Sequence, residues 1–146
     1  MHITFQSVLI ALCLVLVNCT SVPLRAPDTA PSIIADYVAA YNARDVDGMA
    51  ALMHPDIQWL SVEGDEMVVF ADGKADLISQ MTAYVGSPQA TTSTLHREVI
   101  NGDYLAVKET ASWPKQDGTT GMQSAIAVYE LSDGLIRRVW YFPAQY

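Results

Sequence analysis

The chain has 146 residues, 51% of them hydrophobic, and sixteen Asp and Glu stand against eight Lys and Arg for a net charge of −8. That balance, with no basic run, excludes nucleic acid as a partner, because phosphates demand clustered Lys and Arg, and it excludes peripheral docking on anionic lipid. The two cysteines, Cys13 and Cys19, both lie near the N-terminus, so the rest of the chain has neither a disulfide framework nor a Cys-based metal site.

Residues 3–17, ITFQSVLIALCLVLV, are nearly all apolar and carry no charge. The run is short for a membrane span, which needs roughly 20 residues, and it fits the apolar core of a secretory signal. "LVNC", Leu16–Cys19, resembles the bacterial lipobox, with Asn18 where that motif has a small residue. The resemblance implies lipidation at Cys19. The expectation is a signal over 1–19 and an exported protein, periplasmic or membrane-anchored by lipid at Cys19, which touches the membrane only through that anchor. Residues 20–31 hold three prolines and read as a tether. A single domain is expected over 32–146.

Ser32 is a fair N-cap, and Ile33, Ile34, Tyr37, Val38 and Tyr41 follow at helical spacing. A second short helix is expected from Asp45 to Pro55, with His54 capping its end. A strand over 57–62, a turn at 63–66 and a return strand over 67–71 come next. Residues 72–88 read as a third helix with Leu77, Ile78, Met81 and Val85 as its apolar stripe. Four strand-like runs close the chain, at 91–101, 103–113, 121–131 and 134–142, with Asn101–Gly102 as a hairpin signal. Helices followed by a meander define an α+β fold with a mostly antiparallel sheet.

Two strands carry chemistry on unexpected faces. In "IQWLSVEG", 57–64, the period-two rule puts Ile57, Trp59, Ser61 and Glu63 on one face. Such a mixed row suits a pocket wall, which is mostly apolar with a few polar groups. In "LAVKETASW", Glu109 falls on the parity of Leu105, Val107, Ala111 and Trp113. A charge there is costly unless it is paired or hydrogen-bonded. Glu109 therefore either faces a polar pocket as a general acid or base, pairs with Arg97 or a Tyr hydroxyl, or reaches solvent at a strand edge.

"YVAAYNARDVDGMAALMHPDIQW" (37–59) and "AIAVYELSDGLIRRVWYFPA" (125–144) resemble the opening and close of the SnoaL-like, or nuclear transport factor 2-like, superfamily. The resemblance implies a cone: a curved sheet wrapped around three N-terminal helices, enclosing one pocket. Members include ketosteroid isomerases, polyketide cyclases, epoxide hydrolases and proteins that only bind or dimerise. On the isomerase pattern Tyr37 falls on the Tyr that donates to the oxyanion. Ser61 stands where the base belongs and Ala127 where the protonated Asp belongs, so classical steroid isomerisation lacks its proton acceptor.

The functional expectation is a pocket for a small apolar or amphipathic molecule, with acid–base chemistry of the isomerase, cyclase or hydrolase kind left open. Tyr37 and Glu109 are the candidate catalytic residues, and Tyr41, Trp59, Ser61 and Glu63 the candidate ligand contacts. No cofactor and no metal are expected, since neither a Gly-rich phosphate loop nor a His-x-x-x-His pair is present. The alternative is a non-catalytic interaction module, a homodimer or a partner docked through the outer sheet face.

Overall fold

The computed structural model describes residues 30–146, with side chains from Ile33 onward. The expected signal, Cys19 and the tether as far as residue 29 lie outside the described residues. No helix among the described residues is long and apolar enough to cross a membrane.

Helix α1 spans Ala30–Asn42, starting before Ser32 rather than being capped by it. Its end is a Schellman motif: the Asp45 N–H donates to the Ala40 carbonyl at 2.9 Å and the Arg44 N–H to the Tyr41 carbonyl at 3.0 Å. Arg44 takes the left-handed position, with φ 61°, where glycine is usual. Its side chain compensates by donating to the carbonyls of Thr91 and Ala90 at 2.8 and 3.0 Å and lying 5.6 Å over the Tyr41 ring. Asp45 then caps helix α2, Val46–Ala51, by accepting from the Gly48 N–H at 2.9 Å.

Helix α2 stops at Ala51 and does not reach Pro55, as the sequence led one to expect. Strand β1, Met53–Glu63, begins at once, because the Leu52 carbonyl accepts from Ile136 N–H at 2.9 Å and Met53 pairs with Ile136. Sheet pairing thus overrides the helical continuation. His54 is consequently no helix cap; its Nδ1 accepts from the Asp56 N–H at 3.0 Å. Pro55 lies in the stretch where β1 slips register against its neighbour, the kind of place a residue without an N–H can occupy.

Strand β2 covers Glu66–Asp72 and helix α3 Lys74–Val85. Strands β3, Thr92–Asn101, β4, Tyr104–Pro114, β5, Thr120–Ser132, and β6, Leu135–Tyr141, complete one curved six-stranded sheet in the order β2-β1-β6-β5-β4-β3. Only β1 and β6 run parallel; the other neighbours are antiparallel. The β5–β6 turn places Asp133 and Gly134 at φ 53° and 74°, the primed hairpin geometry that matches strand twist.

Helix α1 packs across β3, β4 and β6, and α3 across β1 and β2. Between them and the sheet lies the core. Ile34, Met49, Ile57, Leu77, Leu105, Tyr129 and Val139 are fully buried there, the aliphatic and Met side chains each contributing about 1.5–3 kcal/mol through burial. One polar clamp fixes α1 to the sheet. The Asn42 amide donates to the Ser93 carbonyl at 2.8 Å and its Oδ1 accepts from the Ser93 N–H at 2.7 Å. A side chain thereby supplies to β3 the ladder bonds that a strand would make.

Candidate functional site

The period-two pattern of β4 holds: Leu105 and Val107 are buried, and Glu109 follows them inward, half-buried. Its carboxylate is met by hydroxyls from three other strands. Ser93 of β3 donates to Oε1. Tyr141 of β6 donates to Oε2 at 2.6 Å, and Tyr129 of β5 lies 3.2 Å from the same oxygen. The two phenol oxygens are 3.2 Å apart, so Tyr129 can share its proton between Glu109 and Tyr141. Of the partners expected for Glu109, the Tyr hydroxyl is found; Arg97 instead sits exposed at a bulge in β3, with φ 53°.

Above this cluster is a cavity of about 140 Å³ lined by Tyr37, Val38, Tyr41, Trp59, Met81, Tyr84, Glu109 and Tyr141. Trp59 stacks on Tyr141, centroids 5.2 Å apart and planes 13° off parallel, and leans against Tyr37 at 6.3 Å. Tyr37 is only 3% exposed, and its hydroxyl has no hydrogen-bond partner. Burial, and then the charge of Glu109, pushes that hydroxyl well above the usual tyrosine range, so it remains a proton donor. Burial does the same for Tyr129 and Tyr141, reinforced by Glu109. At the cavity rim the Tyr41 hydroxyl meets Thr91 Oγ1 at 2.8 Å, and the Tyr84 hydroxyl meets the same atom at 3.3 Å.

Four of the expected site residues, Tyr37, Tyr41, Trp59 and Glu109, therefore share one cavity. Ser61 and Glu63 do not line it. The shift between Trp59 and Leu60 is a bulge at Phe70 of β2, while β1 stays in step with β6 from Gln58 to Ser61, so Ser61 keeps the Trp59 face but lies further along the strand than the cavity reaches. Ser61 is half-buried opposite Tyr141 and Val68, and Glu63 is exposed, paired with Glu66 beside the turn. Sequence reasoning missed Tyr84 and Ser93 as site residues. Tyr84 was legible as the next member of the Leu77, Met81 helical series; Ser93 carries no such signal, since its role depends on strand register. No cluster of His, Cys, Asp and Glu able to hold a metal occurs among the described residues.

A cone-shaped α+β domain with one aromatic pocket floored by a carboxylate is the class these features define. The chain belongs to the SnoaL-like domain family, whose model matches residues 34–139. No curated protein matches it. Among solved structures it is similar to an uncharacterised cystatin-fold protein from Novosphingobium aromaticivorans, at 23% identity and TM-score 0.64 over 77% of this chain and 96% of that one. It is also similar to an LEH-like epoxide hydrolase of M. tuberculosis, at 17% identity and TM-score 0.62 over 76% and 79%. TerC crystallised with polyporic acid matches at 22% identity and TM-score 0.61 over 76% and 88%. At these identities the likeness shows a shared fold.

The unpartnered Tyr37 hydroxyl yields a sign test. Tyr37→Phe removes a buried group that is already unsatisfied, so stability in urea stays unchanged or rises by up to about 1 kcal/mol. Tyr141→Phe removes a bond to Glu109 and lowers stability by about 1–3 kcal/mol. Equal losses in the two variants would contradict the assignment of Tyr37 as free.

Proposed function

We propose that this domain binds a small amphipathic molecule in the cone pocket, its apolar part among the aromatic side chains and its polar part at Tyr37 and Glu109. The observation that carries this reading is a buried hydroxyl without a partner, Tyr37, in the same cavity as a carboxylate. Mostly apolar walls with a few converging polar groups are the usual make-up of a ligand site. The size is restrictive: a cavity of about 150 Å³ takes a molecule of benzene size, and this one is about 140 Å³. A fused polycycle would protrude from it. Binding comes before proton transfer in this reading. Both Glu109 oxygens are occupied by hydroxyls, and Ser61, at the position of an isomerase base, lies off the cavity.

The competing interpretation, an interaction module, draws on the outer sheet face. There Val62, Met67, Tyr104, Val128, Trp140 and Phe142 line a shallow apolar groove. Titrating the full chain with single-ring neutral, anionic and cationic compounds, followed by calorimetry, separates the two. Saturable binding that is lost in a folded Val38→Phe variant supports a ligand pocket. No response to any compound, together with concentration-dependent self-association in sedimentation, favours the outer face and a second copy of the chain.

The apolar run over 3–17 and "LVNC" support the further proposal that the domain works outside the cytoplasm, tethered at Cys19. Mass spectrometry of the protein from its host should find an N-terminus at a lipidated Cys19. A mature chain starting elsewhere would overturn the tether.

A further inference from the structure

The charge balance inside the pocket is incomplete. Among the described residues, the hydrogen-bond partners of Glu109 are all hydroxyls, those of Ser93, Tyr129 and Tyr141. Hydroxyl dipoles satisfy lone pairs, but they bring no counter-charge to a half-buried anion. The nearby cation just past α1, Arg44, donates to the carbonyls of Thr91 and Ala90 and lies over the Tyr41 ring at the rim. The ion pair of Arg138 with Glu130, at 3.0 Å, involves neither Glu109 nor any cavity-lining residue.

The remaining wall has the complementary property. Five aromatic side chains, Tyr37, Tyr41, Trp59, Tyr84 and Tyr141, line the cavity with Glu109; Arg44 already lies over the Tyr41 ring, which leaves the other four for a ligand. Aromatic faces carry negative potential and attract cations, and cages of such rings recognise alkylated ammonium groups. The chain as a whole, at −8, also favours the approach of cations.

We propose that the ligand is a small organic cation, an alkylammonium bearing one oxygen a short alkyl chain away. This rests on the reading of the cavity as a ligand site. The ammonium lies among the aromatic rings and supplies the counter-charge to Glu109, and the oxygen accepts the hydrogen bond that Tyr37 has free. Both unmet demands of the cavity, one electrostatic and one directional, are then answered by one molecule of suitable size. A neutral ring answers neither, and an anion is repelled by Glu109.

The test compares choline, tetramethylammonium and neohexanol, the neutral carbon isostere of choline, by calorimetric titration of the full chain in amine-free buffer. Choline is expected to bind at least about tenfold more tightly than neohexanol, with tetramethylammonium between them because it lacks the oxygen. Tyr37→Phe should reduce choline binding toward that of tetramethylammonium. Glu109→Gln should lower the ratio of choline to neohexanol affinity to what the aromatic rings alone supply. Neohexanol binding as tightly as choline would overturn the proposal and leave the ligand pocket standing for a neutral molecule. Failure of all three to bind also overturns it, and the single-ring titration then decides separately whether the pocket takes any ligand. The comparison on the unaltered chain is sufficient alone should either variant fail to fold.

Discussion

Everything in this cone is arranged around one carboxylate on an apolar strand face. Glu109 continues the inward row of Leu105 and Val107, where an unsatisfied charge would cost several kcal/mol. Three hydroxyls satisfy its lone pairs and reduce that cost, and they come from β3, β5 and β6. Since the sheet order places those strands around β4, the cluster also fixes their relative register. Tyr141 passes the constraint on to β1 by stacking against Trp59. A single anion is thereby tied to strands across most of the sheet.

The first helix serves the same arrangement from above. Asn42 holds both backbone groups of Ser93, the residue whose hydroxyl reaches Glu109. Two positions later Arg44 holds the backbone of Ala90 and Thr91. The "YNARD" segment that carries the family resemblance is thus a mechanical joint between helix end and edge strand, and its role is structural. That explains why such a motif identifies the fold so well and the chemistry so poorly. Above the joint, Thr91 gathers the hydroxyls of Tyr41 and Tyr84 at the rim, leaving Tyr37 as the donor free for a ligand.

Local periodicity made part of this legible. Helical spacing put Tyr37, Val38 and Tyr41 on one side of α1, and strand parity flagged Glu109 as a charge in the wrong place. The fold class followed from element order and from the resemblance. What failed depended on pairing or on how far the cavity reaches. The cavity wall ends at Trp59, leaving Ser61 and Glu63 beyond it along β1, and pairing of Met53 with Ile136 cut α2 short. Ser93 and Tyr129 were invisible as partners of Glu109 because cross-strand contacts are set by register, which one sequence does not display. Tyr141 acquires its place only once its strand is laid beside β5 and β1.

Ser93, Tyr141 and Glu109 act as one unit if their contributions are non-additive. A double-mutant cycle on Ser93→Ala and Tyr141→Phe, read as unfolding free energy in urea, addresses it most directly, because residues sharing a network couple by about 0.5–3 kcal/mol. Coupling of at least about 0.5 kcal/mol is expected, and it disappears when the cycle is repeated in a Glu109→Gln background. Losses that add within about 0.3 kcal/mol in the unaltered chain would contradict it and reduce the carboxylate to a bystander.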